Sequence, residues 1–597
     1  MIKTTLLTAL GFSALVFAQQ IPQNESKSEI TYKELYDHIS YLSSDELAGR
    51  FPGTREIDEA AEYLAQDFKR SGLKPLFNGS YFQEFEVITG VELGSANKCS
   101  YTINGTEKEL QPGTTYSPLG ISGNATVTAP VVFVGYGITA KKLEYNDYEG
   151  IDVKGKIVLV LRSHPEGKQP HSQFDEYATL RAKASNAKSQ GAIAVVFVSG
   201  YTLEEEDAFV PLRYDRAPAL NGIPVVQIKR SIADEIFAAE GKKLEQINHE
   251  IISGKRPQSF ALATTFKVST EVNYLAKTTK NVGAILEGTD PKLKDEYVVF
   301  GGHYDHLGHG YIGSLYRGKG MQIHNGADDN ASGTAGVLEL AEYFAATKGN
   351  KRSLIFLGFS AEEMGLLGSA YMVDNWSIPN KQVAAMLNFD MIGRLKEKSL
   401  TVYGMGTSSA WKPLLTRLND TTALKLSFID DGFGASDHSS FYQKDIPVLF
   451  FFTGIHEDYH RPSDDADKIN AEGSEQVLKF AVQVATEIIN TESKPDFIKP
   501  NKTETTQRVS FKVYVGTVPD YSYTGEGYKI SGVSEGSPAQ KAGMEKGDIL
   551  VKLGTKKVAN IYDYMGAMAD FAPGDTTTLT VLRNGTEKTL NITFTGR

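Results

Sequence analysis

The spacing of apolar positions changes several times along this chain, and each change marks a boundary. From Leu6 to Phe17 the run is apolar, with Lys3 ahead of it and Val16 and Ala18 at the small-residue positions before a cleavage point. That pattern predicts a secretory signal peptide over residues 1–18, a mature chain starting near Gln19, and export to the periplasm or outside the cell. Ile57, Ala60, Ala61, Leu64 and Phe68 then recur at helical spacing, with Thr54 to cap the start and Gly72 to end the helix. Beyond about Phe82 short strands and turns take over. Val131–Val134, Ile157–Leu161, Ile193–Val198 and Ile223–Ile228 read as strands, and a helical stretch at Tyr177–Ser189 precedes the third.

From about Asn281 the pattern becomes strand, loop and helix in alternation. Tyr297–Phe300, Leu354–Phe359, Val383–Phe389 and Val448–Phe452 are near-continuous apolar strands, and Val337, Leu340, Ala341 and Phe344 mark a helix between the first two. This predicts an α/β fold with a mainly parallel, mixed sheet covered by helices. A polar stretch with Pro495 and Pro500 then reads as a linker before a last domain of short strands and turns. The expected organisation is a split α/β domain at 28–90 and 263–492, a small α/β insert at 91–262, a linker at 493–508 and a mostly β domain at 509–597.

With 597 residues the chain exceeds a single hydrophobic core. Cys99 is its only cysteine, which excludes an internal disulfide and a cysteine-based zinc site. Any metal has to be held by His, Asp and Glu. A net charge of −11 without a long basic run argues against nucleic acid as a partner. No second apolar stretch reaches spanning length, so no membrane anchor is expected.

Those metal-ligating residue types gather after the apolar strands. Gly301-Gly-His-Tyr-Asp305 follows the first, Ser360-Ala-Glu-Glu363 the second, Asp390 the third, and His460 lies a short loop beyond the fourth. Gly326-Ala-Asp-Asp-Asn-Ala-Ser-Gly333 carries Asp328 into a helix between the first two. Taken singly, an acidic pair is a solvated helix face and Asp-Asp-Asn a capped helix start. Together they fall at the carboxyl ends of parallel strands, where open α/β sheets build their sites. Two His with three carboxylates form a nitrogen and oxygen set suited to zinc, and two ions fit the number of carboxylates better than one. Asp305 is placed to accept the second imidazole N–H of His303. Glu362, beside a ligand, is placed to take a proton from a nucleophilic water.

His303-Tyr-Asp305, Gly326-Ala-Asp-Asp-Asn-Ala-Ser-Gly333, Glu362-Glu363, Asn388-Phe-Asp390 and Tyr459-His460 resemble the ordered signature of the bacterial leucyl aminopeptidase family. Its superfamily also contains aminopeptidase Y, glutamate carboxypeptidase and glutaminyl cyclase. The resemblance implies a peptidase with two zinc ions bridged by Asp328. His303 and Asp390 would complete one site, Glu363 and His460 the other. Glu362 would be the general base, Asp305 would orient His303, and Asp329 would follow the bridging ligand in a strained turn. Tyr459 resembles the hydroxyl that some members use to steady an oxyanion, and Ser436-Asp-His-Ser-Ser-Phe441 a supporting element near the cleft. The loop from His306 to Asn325, with His306, His309 and His324, departs from the pattern and reads as an ordinary Gly-rich connection, with a cleft lid or a further metal site as alternatives.

Gly135-Tyr-Gly137, Gly155-Lys-Ile-Val-Leu-Val and Gly191-Ala-Ile-Ala-Val-Val in the insert resemble a protease-associated domain, which implies a wall over the cleft that limits substrate size. Gly525-Glu-Gly527, Gly536-Ser-Pro538, Ala542-Gly543 and Gly547-Asp-Ile-Leu550 resemble a PDZ domain, which implies capture of a peptide or protein C-terminus by strand addition. Peptides are the expected substrates, with removal of N-terminal residues as the leading expectation. A carboxypeptidase or dipeptidase on the same metals is the near alternative, which Arg394 would serve by holding a free carboxylate. A glutaminyl cyclase and an inactive binding protein are the more distant ones.

Overall fold

The computed structural model describes residues 28–166, 172–202, 206–215, 219–220, 222–316, 318–422 and 424–499. It also describes most of 513–596, except 520–526, 534–536, 559–563, 565–566, 569–570 and 572–573. The expected signal peptide, residues 500–508 of the expected linker, and Gly525, Glu526 and Gly536 of the PDZ motifs lie outside the described residues.

The four predicted apolar strands form the centre of a nine-stranded mixed sheet, in the order Ser353–Phe359, Tyr297–His303, Val383–Phe389, Val448–Phe452, all parallel. Val272–Leu286 adds antiparallel on one side, Ser399–Tyr403 antiparallel on the other, and Lys425–Ile429 follows parallel to Ser399–Tyr403. Every residue of Ser353–Phe359, Val383–Phe389 and Val448–Phe452 is buried, because helices cover both faces. Val298 and Phe300 face the helices Tyr32–Leu42, Arg55–Arg70, Gly333–Thr347 and Ala471–Asn490, whereas Val299, Ile355 and Met386 pack towards Leu367–Asn375 and His438–Tyr442. Thr54 caps Arg55–Arg70 through the backbone N–H of Ile57, as its position predicts. Strand order reverses around Tyr297–His303, so the carboxyl ends of it and its neighbours frame a crevice at that switch point.

The insert has its own eight-stranded sheet, with Ala125–Val134, Ile157–Leu161, Ala194–Val198 and Val225–Ile228 parallel at its centre. The boundary expected at 262/263 is corrected here. It falls inside the strand Ser259–Thr270, which pairs with Lys98–Ile103 and Ala125–Val134 and belongs to the insert. That strand passes into Val272–Leu286 with no Gly or Pro to mark the junction. The two sheets are joined by a ribbon in which Phe82–Leu93 runs antiparallel to Val272–Leu286, from Leu93 opposite Val272 to Phe82 opposite Val282.

Residues 493–499, expected as linker, pack on the domain of the nine-stranded sheet instead. The Asp496 carboxylate accepts from Ser408 Oγ at 2.6 Å and from the Ser409 N–H at 2.9 Å, and the Ile498 N–H donates to the Thr407 carbonyl. Beyond them lies a mostly β unit whose core includes Val513, Tyr528, Ile530, Leu550, Val581 and Ile592. Among the described residues no helix is long and apolar enough to cross a membrane.

Candidate active site

His303 and His460 are each turned by a carbonyl behind the ring. His303 closes its strand, and Thr334 Oγ1 donates to its carbonyl at 2.6 Å. Its Nδ1 stands 3.2 Å from the Asp305 carbonyl oxygen, which can only accept, so Nδ1 carries the proton and the Nε2 lone pair faces the crevice. There Asp329 Oδ1 lies at 3.4 Å, Asp390 Oδ1 at 3.6 Å and Glu362 Oε2 at 3.9 Å. His460 has φ of 54°, and its Nδ1 lies 3.0 Å from the Gly313 carbonyl. Its Nε2 is thereby aimed at Asp329 Oδ2 and Glu363 Oε2, both at 3.2 Å. Ser436 Oγ donates to Asp390 Oδ2 at 2.7 Å and accepts from Asn388 Nδ2 at 2.7 Å, which places the Ser436–Phe441 element behind a site carboxylate.

One expectation is corrected. Asp329, not Asp328, lies between the two imidazoles. Asp328 turns the other way: its Oδ1 accepts from the Gly393 N–H at 2.6 Å and from Ser332 Oγ at 3.0 Å, and its Oδ2 lies 3.2 Å from His456 Nε2. The turn has Gly326 at φ 58° and leaves helical geometry at Asp329 (φ −107°, ψ 93°) and Asn330, with a cis peptide bond between those two. The backbone leaves helical geometry from Asp329 onward, and the two adjacent side chains part there, Asp329 towards the crevice and Asp328 towards Gly393 and Ser332.

Asp305 also has a different principal contact from the one expected. Its carboxylate accepts from the Glu362 and Glu363 N–H groups at 3.1 and 3.3 Å, while Oδ1 is 3.6 Å from His303 Nδ1. It therefore fixes the Glu-Glu turn, and its backbone carbonyl makes the closer contact to His303. The Tyr459 ring stacks on His460 with centroids 3.9 Å apart. Burial, and the charges of Asp329 and Glu363, raise the Tyr459 phenol, so it stays a neutral O–H.

Charge is separated across the crevice. Burial pushes the Glu362 carboxyl well above the ordinary range, and Glu363, Asp437 and Asp390 add to the shift against the opposing His303. Burial also acts on Asp329, but the contacts with His303 and His460 overcome it and hold Asp329 well below the usual carboxylate range. Burial opposes charge on His460 too, yet Asp329 and Glu363 raise it to about 11.

The donors suit a cation. His303 Nε2, Asp390 Oδ1 and Glu363 Oε1 are buried without a hydrogen-bond partner among the described residues. Such atoms cost roughly 1–3 kcal/mol each if left bare, and here they converge. Two groups of three donors each lie within 4.8 Å of one another: His303, Asp329 and Asp390, and His306, Asp329 and Glu363. Asp329 belongs to both.

Several supporting residues carry no sequence signal. Arg50 is fully buried and donates to the Tyr304, Asn325 and Gly326 carbonyls at 2.7, 2.7 and 3.1 Å, tying together two site loops. Asp464 Oδ2 accepts from the Asp328 and Asp329 N–H groups, and Asp464 Oδ1 lies 3.0 Å from Arg394 Nη2. Arg394 is thus already engaged, which weakens the case for it as a carboxylate receptor. Of the three histidines in the 306–325 loop, His306 joins the donors. His324 hydrogen-bonds Ser314 Oγ and the Gln322 carbonyl, and His309 lies beside Tyr311.

Comparison with known proteins places three matched regions along the chain. Residues 281–485 match Peptidase family M28, residues 127–236 match the PA domain and residues 503–594 match the PDZ domain. Aminopeptidase YwaD of Bacillus subtilis is 27% identical over 509 residues, covering 83% of this chain and 93% of that protein. Leucine aminopeptidase 2 of Trichophyton tonsurans is 24% identical over 455 residues, 73% of this chain and 76% of its own. Among solved structures, an aminopeptidase from an Aneurinibacillus species covers 78% of this chain and 98% of its own at 23% identity, with a TM-score of 0.46. The zinc aminopeptidase BSAP of Bacillus subtilis covers 80% and 99% at 22% identity, with a TM-score of 0.45. The chain is a homologue of aminopeptidase YwaD, with residues 281–485 matching Peptidase family M28, a PA domain inserted ahead of the central strands and a PDZ domain after them.

Proposed function

We propose that this protein is an exported aminopeptidase that holds two zinc ions and removes residues from the N-terminus of peptides. One ion would lie between His303, Asp390 and Asp329, the other between Glu363, His460 and Asp329. The observation that carries this reading is the Asp329 carboxylate, with Oδ1 3.4 Å from His303 Nε2 and Oδ2 3.2 Å from His460 Nε2. A carboxylate that presents one oxygen to each of two outward-aimed imidazoles is arranged as a bridge. Zinc held there is a Lewis acid that makes a nucleophilic water available near neutral pH and polarises a carbonyl.

The chain's own residues do the proton work. Glu362 reaches to 3.9 Å from His303 Nε2 without belonging to either donor group. Its raised proton affinity suits a general base that takes a proton from the attacking water and returns it to the leaving amine nitrogen. Asp305 fixes its backbone. The neutral Tyr459 hydroxyl, on a ring stacked on His460, is a donor for the oxyanion that develops on the scissile carbonyl. The engagement of Arg394 with Asp464 and Asp458 favours the aminopeptidase direction over the carboxypeptidase one.

The test is product mapping. Zinc-loaded protein incubated with a peptide mixture should give ladders shortened from the N-terminus, absent with Glu362→Gln. Ladders shortened from the C-terminus would overturn the direction, and no cleavage by the zinc-replete protein would overturn the enzymatic reading.

A further inference from the structure

The loop residue His306 stands where the second ion would be held, and its chemistry remains unused by the ligand set above. Its side chain is fully buried, and its Nδ1 lies 2.7 Å from Glu363 Oε1. At that distance a hydrogen bond would be ordinary, yet the direction is wrong. Both ring nitrogens of His306 and Oε1 of Glu363 are without a hydrogen-bond partner among the described residues. Two atoms bound to one zinc, each about 2 Å from it, stand roughly 3 Å apart with lone pairs that converge rather than face each other. That is the relation seen here. The ring of His306 also meets that of His460 edge to face, with centroids 5.9 Å apart and planes at 74°.

The place of the ring is built into the fold. The His306 N–H donates to the Arg50 carbonyl at 3.2 Å. Gly326 has φ of 58°, and a Cβ there would come within 2.6 Å of His306 Cδ2, so the glycine that opens the Asp328-Asp329 turn also leaves room for this imidazole. A fully buried imidazole with no hydrogen-bond partner among the described residues, beside a carboxylate oxygen that also has none, has a ligand as its natural explanation.

We propose that His306 is a fourth protein ligand of the ion held by Asp329, Glu363 and His460. This rests on the two-zinc reading and extends it: the two sites become unequal. The His306 side offers Asp329 and Glu363, whose donor atoms lie within 4.8 Å of that of His306, together with His460, whose Nε2 stands 3.2 Å from an oxygen of each carboxylate, four residues for a four-coordinate zinc. The His303 side offers three ligands and keeps a position open. Zinc therefore binds in two steps, the tight one at the His306 side.

The test does not rely on activity. Zinc-edge X-ray absorption of the full chain loaded with two equivalents of zinc should require three imidazoles shared between the two ions. His306→Ala should require two, and chelator-competition titration should show its tight step weakened by at least the roughly 10–100-fold that loss of an outer partner brings. His324→Ala, in the same loop but bonded to Ser314, should keep both steps. Should His306→Ala fail to fold, the imidazole number of the unaltered protein decides alone. Two imidazoles for two zincs, or an unchanged tight step in a folded His306→Ala, would overturn the assignment of His306 and leave the two-zinc reading intact. No zinc bound by the unaltered protein would overturn both.

Discussion

Buried charge is handled in opposite ways in the insert and in the crevice. In the PA insert Asp147 is buried, and its two oxygens are both satisfied: Oδ1 accepts from Tyr145 Oη and Oδ2 from the Ile138 N–H, each at 2.9 Å. Lys183 is fully buried as well and donates to the Leu161 and Ser163 carbonyls. These groups close on themselves. In the crevice Asp390 Oδ1, Glu363 Oε1 and His303 Nε2 are just as buried but have no hydrogen-bond partner among the described residues, and they fall into two donor groups that share Asp329. Burial of charge therefore does not distinguish a site from a fold in this protein. What distinguishes the site is convergence: among the described residues, unpaired buried polar atoms occur in the insert too, at the Tyr116 and Tyr148 hydroxyls, but in the crevice imidazole and carboxylate donors lie within 4.8 Å of one another.

The contrast can be broken most severely at its centre. Asp329→Asn should remove the shared ligand, so zinc content falls and peptidase activity drops below detection. Asp328→Asn should keep its zinc, since that carboxylate serves the Gly393 N–H and Ser332 Oγ. Metal analysis of the two dialysed variants checks this. Next in size is Glu362→Gln, which should keep both ions and lower kcat by about 10²–10⁴-fold, the span of a lost general base. Steady-state kinetics with metal analysis on the same sample reads both.

In the insert the expected effect is on stability. Asp147→Ala leaves the Ile138 N–H and Tyr145 Oη buried without their acceptor, at roughly 1–3 kcal/mol each, and zinc content should stay unchanged. Denaturant unfolding followed beside metal analysis separates the two. The smallest effect is expected at Glu339, a buried carboxyl facing His38. Burial first, and then Glu34, raise it to about 9, whereas it ionises near 4.5 when unfolded. The folded state therefore holds the extra proton between those values, and its contribution to stability is complete below about 4.5 and lost as pH rises towards about 9. Glu339→Gln should raise the melting temperature by a few degrees at pH 8 and leave it nearly unchanged at pH 4, as read by scanning calorimetry.

Much of this was legible in the sequence, for identifiable reasons. Four apolar strands with polar residues at their carboxyl ends announce both the sheet and the crevice, because polar groups directly after several buried strands have few structural explanations when taken together. His303, Glu362, Glu363, Asp390 and His460 follow from that placement. Asp329 did not, since two adjacent aspartates look alike until the backbone decides which one turns inward. Arg50 and His306 were harder still. Arg50 acts through backbone carbonyls more than 250 residues away in the chain, and His306 sits in a Gly-rich loop whose composition is that of ordinary connections. The edge of the insert was missed at 262 because Ser259–Thr270 passes into the next strand without turn chemistry.

The direct test of the shared carboxylate is an anomalous difference map of zinc-loaded crystals collected at the zinc edge. Two peaks flanking the Asp329 carboxylate, one beside His303 and Asp390 and one beside Glu363 and His460, are the predicted result. A single peak, or a peak against Asp328 and His456, would contradict it.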